Sequence, residues 1–591
     1  MLTGGGNYRM PNMRKWFYMV LMIALIGSML TACALGGGGE DQTVVPAEPV
    51  AEDTKTNEAA EPVSEGVIEA TDMSQNPDLA KQRTDTVVVG MTAPKGVFNP
   101  LFRQTVYDDY VGRVVFDSFL QVQKDGTYTE NLAESLDVSD DGLKYTFHLK
   151  PGVTYSDGTP VTVKDFAFVL KVLHDPAYDG EMDALSFNIA GGREYFEGNA
   201  KDISGVKVID DNTIEITVTE ATAYTKDFLG DLPLMPESYY GKNYSKGKLD
   251  GIKALHNKPI GSGQYVLKNF SPGQEVVLEA NPNYFKGAPK VKTVIFKTTT
   301  EGTSLTMLQT GETDMDNITV TEDNVEELTS LGFLNVNILP TNGYGYIAFN
   351  HKEKKFQDPL VRQALTIGLN REEIVQGVYG PYANVLNIPQ STASWSYTDE
   401  GIETYPFDME KAKQLLDQAG WKDGADGIRE KDGEKFKINF SATADNPVID
   451  ALLPIMTNNY KELGIDLTSE TLDFNAIMDK KDTGNFDMFF AAWSLEPDPD
   501  TTIYITDGAQ NDIGYSNAKV DELTLAAKKE LDQEKRKELY KQLYQEINKD
   551  LPVIFLYQRR DMWPINGRLS GFDISPFKDF EYSLYSVQIA Q

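Results

Sequence analysis

Two Asp-Gly pairs punctuate Ser139-Asp140-Asp141-Gly142-Leu143-Lys144-Tyr145-Thr146-Phe147 and the Asp157-Gly158-Thr159-Pro160-Val161-Thr162 that comes after it. Asp141-Gly142 lies between strand-like segments running from Leu136 to Leu149, and Tyr145, Phe147 and Leu149 alternate after it, which predicts a β-hairpin. Asp157-Gly158 predicts a second turn. Thr162 then precedes a run in which Phe166, Val169, Leu170 and Leu173 recur at helical spacing, with Asp165 at the third helical position as a shorter substitute for the capping-box glutamate. A hairpin leading into a capped amphipathic helix predicts mixed α/β layers.

The same texture extends in both directions. Upstream, Thr86-Val87-Val88-Val89-Gly90 is a β-branched run ending in glycine, as expected of a buried strand at the start of the folded part. Downstream, Asp358-Pro359 predicts a helix with a cap and a proline at its first position, bearing Val361, Ala364 and Leu365 on one face. Asn370 and Glu373 open another helix. Asp408 caps a further one with Ala412, Leu415, Leu416 and Ala419 inward, and Gly420 stands where a left-handed residue is wanted. The last long helix is predicted over Asp532 to Lys549. Strand-like segments at Val291 to Phe296, Gly345 to Phe349, Phe436 to Phe440 and Val553 to Tyr557 alternate with these helices, and no tandem repeat is found.

Cys33 is the only cysteine in 591 residues, and it closes Leu30-Thr31-Ala32-Cys33-Ala34. Arg14 and Lys15 supply a cationic start, Trp16 to Leu30 an apolar run too short to span a bilayer comfortably, and small residues lead to the thiol. This is the order of a bacterial lipoprotein signal, with residues 1–32 removed and Cys33 lipidated; Met10 and Met13 are alternative starts. A second cysteine is lacking, so no internal disulfide can form and the folded part depends on core burial. Between Glu40 and Asp72 there are ten carboxylates and one lysine. No aromatic residue occurs between Tyr18 and Phe98. Such a segment buries too little apolar surface to offset its ordering entropy, so residues 33–83 are expected to be a disordered acidic tether.

The net charge of −34, from 89 acids against 55 bases, argues against nucleic acid, which needs a basic stripe to meet phosphates. His148, His174, His256 and His351 lie in no metal-ligand spacing, and Asp423, Asp426 and Asp432 fit glycine turns better than an EF-hand. No nucleophile elbow or phosphate loop is present, and carboxylate pairs in so acidic a chain carry no specific signal. A binding protein without metal or cofactor is therefore expected rather than an enzyme.

Residues Asn131-Leu132-Ala133-Glu134-Ser135 join the opening block, and further blocks lie downstream. They are Gly261-Ser262-Gly263-Gln264-Tyr265, Asn281-Pro282-Asn283-Tyr284-Phe285, Val361-Arg362-Gln363-Ala364-Leu365, Lys411-Ala412-Lys413-Gln414-Leu415-Leu416 and Ala419-Gly420-Trp421. In this order they resemble the extracellular solute-binding proteins of family 5, the oligopeptide- and dipeptide-binding receptors of ABC importers, over nearly all of Thr84 to Gln591. The resemblance implies an α/β, periplasmic-binding-protein-like fold (class II, large cluster C type), with two lobes, an extra small domain and a ligand cleft between the lobes. Lobe I would comprise 84–127, 255–348 and 557–591, the extra domain 128–254 and lobe II 349–556, with hinges near Phe349 and Leu556.

It further implies a monomeric, lipid-anchored receptor on the outer face of the cell membrane, capturing peptides by their backbone and delivering them to ABC permease subunits. Nickel chelates or sugars as solutes, and a secreted hydrolase, are the alternatives. Ala492-Trp493-Ser494-Leu495-Glu496-Pro497-Asp498-Pro499-Asp500 resembles the family's tryptophan-containing ligand loop, in which an acid three residues after the tryptophan pairs with the peptide ammonium. That acid is Glu496 here, with Asp498 as the alternative. The loop Asn99-Pro100 to Arg113 resembles the lobe I lining, which implies ligand contacts at Gln104, Val106 and Tyr107. Tyr344, Tyr346 and Tyr557, near the hinges, are further candidates, for which core packing competes.

Overall fold

The computed structural model describes residues 64–590, apart from 104, 183, 445, 473, 500, 507 and 509. The expected signal segment, Cys33, the tether up to residue 63 and Gln104 lie outside the described residues. The folded body begins before the expected tether ends. β1 (Gly66–Ile68) pairs antiparallel with residues 336–338, the short helix Asp78–Gln82 buries Ala80 completely, and Arg83 reaches Asp314 at 2.7 Å. An edge strand is held through its backbone, so the low apolar content that argued for disorder says nothing about it, and Val67 stays 47% exposed.

The chain continues through β2 (Thr86–Met91), α1 (Val106–Val115) and the predicted hairpin, β3 (Ala133–Val138) and β4 (Lys144–Leu149). Gly142 takes φ +67° in the hairpin turn, where a Cβ would be strained. α2 (Val163–Leu173) starts after Thr162, whose N–H donates to Asp165 Oδ2 at 2.9 Å, and it buries Phe166, Val169, Leu170 and Leu173. β5 (Val206–Val208) and β6 (Thr213–Thr217) complete an antiparallel sheet in the order β3-β4-β6-β5. A second sheet joins β2 to β7 (Tyr265–Ser271), β8 (Glu275–Ala280) and β9 (Thr293–Thr298) in the order β2-β9-β8-β7, with β2 and β9 parallel. One continuous core underlies both sheets.

The second half builds β10 (Leu334–Pro340), β11 (Gly343–Phe349), α3 (Pro359–Ile367), α4 (Arg371–Tyr379), α5 (Met409–Gln418), β12 (Lys437–Thr443), β13 (Asp466–Leu472), β14 (Met488–Ser494), α6 (Gln533–Asp550) and β15 (Val553–Asn566). The predicted caps are in place: Asp358, Asn370, Asp408 and Asp532 each accept a backbone N–H of the first turn. Gly420 adopts φ +88° just past α5. The largest sheet runs β1-β10-β15-β11-β14-β12-β13.

β15 ties the two halves together. Its C-terminal part pairs with β10, from Arg560 opposite Pro340 to Asn566 opposite Leu334, and its N-terminal part pairs with β11, from Val553 opposite Ala348 to Tyr557 opposite Gly345. All of β11 packs into the second core with α3, α5 and α6. The first crossing therefore falls at Thr341 and Asn342 rather than near Phe349, and the second at Gln558 and Arg559 rather than at Leu556. The apolar run of β11 gives no sign of where its partner changes; the polar pair before it does. The crossings bond to each other, Gln558 Nε2 donating to the Thr341 carbonyl at 2.7 Å and the Thr341 N–H to that of Arg559 at 3.0 Å.

Asp314 gathers three distant segments. Its side chain is fully buried, accepts from Arg83 at 2.7 Å and Arg568 at 2.8 Å, and takes the Val88 N–H at 2.9 Å. Removing one partner of a buried ionic cluster leaves the others uncompensated. Asp314→Ala is expected to destabilise the body containing β2 by about 3–5 kcal/mol in urea unfolding, the range for breaking a buried pair; a loss below about 1 kcal/mol would contradict this account.

Candidate ligand-binding cleft

α1 is positioned by its own first turn. Thr105 Oγ1 accepts from the Asp108 N–H at 3.1 Å, and Asp108 Oδ1 accepts from the Gly96 and Val97 N–H groups at 2.8 and 3.0 Å, fixing the preceding loop to the helix start. Val106, 49% exposed, and Tyr107 then face one cavity while Asp109 and Arg113, one turn apart, face another. Asp109 accepts from Arg103 and from Arg113 Nε at 2.8 Å; Arg113 also lies 3.6 Å from Asp231 and donates to the Tyr582 hydroxyl. Burial alone would raise the Asp109 carboxyl, but Arg113 and Arg103 outweigh it and hold it below the usual range.

The two cavities measure about 640 and 550 Å³ and share Asn342, Pro576 and Asp579. The larger is walled by α1, by Asp227 and Asp231 of the small-sheet region, by Leu495, Glu496 and Pro497 after β14, and by the C-terminal segment. Asp316, Asp561 and Trp563 line the smaller with Val106 and Tyr107. Desolvation pushes the carboxyls of Asp117, Asp227, Asp316 and Asp579 up to about 6, and each of the four lines the cleft. Asp231 and Glu496 are raised as well, by desolvation that Arg113 partly offsets. Glu496 keeps an exposed side chain, so the walls of the cleft desolvate it without covering it.

β14 ends at this cleft, which Leu495 to Pro497 line just beyond it, and it carries a bare edge. β11 pairs with it along its length, whereas β12 reaches only Met488 and Phe489 on the other side. From Phe490 to Ser494 the second edge has no strand partner among the described residues, and Ala492 and Ser494 are exposed. Asn342 holds the turn beyond Ser494: its carbonyl accepts from the Leu495 N–H at 2.8 Å, and its Nδ2 donates to the carbonyls of Leu495 at 2.7 Å and Glu496 at 3.2 Å. Its Oδ1, buried between the cavities, has no hydrogen-bond partner.

The expected site residues divide. Val106, Tyr107, Leu495 and Glu496 line the cleft, and Ser494 borders it. Trp493 is half-buried and stacks on Tyr346 at 6.3 Å with planes 5° apart. Tyr344 is a core residue instead, its hydroxyl 2.9 Å from that of Tyr504. Tyr346 and Tyr557 are also buried in the second core, Tyr557 filling the space left by Gly345 and meeting the Tyr379 hydroxyl. Asp498 is bonded to Arg536 Nη2 through both oxygens, at 2.8 and 2.7 Å, which binds it to α6 and leaves Glu496 as the open acid among the described residues of the loop. Arg103, Arg113, Asp231, Asn342 and Asp579 went unmarked by sequence. Only the Asp109/Arg113 spacing offered a signal; the others come together from separated segments.

Asp316 is 3% exposed, and its Oδ2 has no hydrogen-bond partner. A carboxyl whose pKa is raised on folding costs stability once it ionises in the native state, so the cost appears as pH rises from about 4 through about 6. Asp316→Asn is expected to melt with wild type at about pH 3.5 and to be about 1–3 kcal/mol more stable at about pH 7.5, read by calorimetry without ligand; a variant no more stable at the higher pH would refute the burial argument.

Comparison with known proteins agrees with this architecture. The family described as bacterial extracellular solute-binding proteins, family 5 Middle, matches residues 127–514. The oligopeptide-binding protein AppA of Bacillus subtilis is 29% identical over 519 residues, covering 86% of this chain and 91% of its own. Heme-binding protein A of Haemophilus influenzae is 28% identical over 523 residues, covering 84% and 92%. The structure of AppA from Bacillus subtilis in complex with a nonapeptide superposes with a TM-score of 0.69 at 27% identity, over 86% of this chain and all of that one. Two halves joined through β15, a cleft between them and a family match across most of the folded body lead to one assignment: the chain belongs to the bacterial extracellular solute-binding proteins of family 5.

Proposed function

We propose that this chain is a lipid-anchored receptor that captures oligopeptides outside the cell and passes them to the membrane permease of an ABC importer, without chemical change to the peptide. The observation that carries the reading is the bare edge of β14, Phe490 to Ser494, ending at a cleft lined by carboxylates. A peptide backbone repeats donors and acceptors at strand spacing, so it can add to that edge whatever its side chains are. Glu496, beyond the end of the strand, is open to the peptide ammonium, and Asn342 Oδ1 offers an acceptor beside it. The binding of oligopeptides named for AppA agrees with this reading. Movement of the two halves about residues 341–342 and 558–559 would close the cleft, and a permease can distinguish the closed shape from the open one. Lipidation of Cys33 would hold the receptor, as a monomer, at the outer face of the membrane.

Strand addition makes a distinctive demand on the ligand, because only alternate residues direct their N–H toward the partner strand. In calorimetry with a short peptide N-methylated at one amide at a time, affinity should fall at least tenfold at every second position and much less between. Uniform loss, or no binding by any peptide, would defeat the reading. The anchor is tested separately: Cys33→Ala, expressed in the native host, should move the protein from the membrane fraction to the medium, and unchanged membrane retention would count against lipidation.

A further inference from the structure

The smaller cavity has an unusual lining for its size. Glu301, Asp316, Asp561 and Asp579 face a single cation, Arg559, which is turned toward Asp561 at 3.3 Å. Among the described residues ten carboxylates and four cations line the two cavities, a steeper excess than the chain's 89 to 55 and therefore not a reflection of composition alone. In the smaller cavity Asp316 and Asp579, unlike the exposed Glu301, are desolvated without an ion pair among the described residues. Asp579 stands where the cavities meet and forms no ion pair among the described residues. Asp316, almost wholly buried, accepts the N–H of its neighbour Asn317 on Oδ1 at 2.8 Å and has the Thr299 side chain as its other polar neighbour, with no cation beside it among the described residues and no hydrogen bond of ordinary geometry to Oδ2. Tyr107, Tyr110 and Trp563 supply aromatic walls to the same space.

Carboxylates held without partners are costly, and the group that relieves the cost is a cation able to donate hydrogen bonds. Aromatic walls favour one kind of cation: an ammonium or guanidinium on an alkyl stem, whose methylenes pack on the rings while the charge interacts with their faces. A peptide lying along β14 with its ammonium near Glu496 would have the junction at Asn342 and Asp579 within the same cleft. We propose that the smaller cavity is a subsite for a cationic side chain, so that this receptor selects peptides carrying lysine or arginine. The inference rests on the peptide reading above.

The test uses the mature protein and pentapeptides of alanine carrying lysine, norleucine or glutamate at each position in turn, with calorimetry as readout. At one position lysine should bind at least tenfold tighter than norleucine, with glutamate weakest. In Asp579→Asn and in Asp316→Asn that lysine-to-norleucine ratio should fall below about threefold, a difference in binding free energy of less than about 1 kcal/mol, while both variants still melt cooperatively. Equal affinity for lysine and norleucine at every position, or a ratio unchanged in both variants, would overturn the subsite and leave the peptide reading intact. If no peptide bound but cadaverine did, with loss of that binding in Asp579→Asn, the peptide reading would fall and the cation site would stand. Failure of peptides and cadaverine alike would overturn both.

Discussion

A single strand, Val553–Asn566, contributes to three hydrophobic cores, and the rest of the molecule is arranged around that constraint. Its fourteen residues are saturated by β11 on one part and β10 on the other, so both bodies are registered to the same backbone. The strand partners change at 341–342 and 558–559, and hydrogen bonds join those two crossings. Asp314, paired with Arg83 and Arg568, ties distant segments of the first body together.

The cleft is the part of the molecule that packs for something other than stability. Carboxyls with raised pKa values line it, Asp117, Asp227, Asp316 and Asp579 foremost, whereas Asp109, paired with two arginines, is held low. Burial raises every one of them, and at Asp109 two arginines together outweigh it. A protein selected for stability alone would neutralise or expose such acids, since a desolvated carboxylate without compensation is costly.

Much of the scaffold was legible along the chain because it is written in local chemistry. Asp-Gly turns, the caps at Asp358, Asn370, Asp408 and Asp532, and the alternation in β4 each concern residues within a few positions of one another, and each folded as read. The misreadings share one origin. β1 was hidden in an acidic segment because an edge strand needs backbone rather than apolar side chains, and the first crossing was displaced to Phe349 because β11 is apolar throughout. Tyr344, Tyr346 and Tyr557 suit a cleft or a core equally by residue type, and packing chose the core.

From the sequence alone come the elements, their order and, through blocks spread over the folded part, the family. Local propensity and capping act over a few residues and need no knowledge of partners. The site needed the tertiary structure. Asp316, Glu496 and Asp579 lie far apart along the chain, and nothing near any of them marks it as unpaired; Asp498, two residues from Glu496, looks equivalent until Arg536 claims it. Whether a charge is satisfied depends on what folding brings within a few ångströms of it, and that is decided in three dimensions.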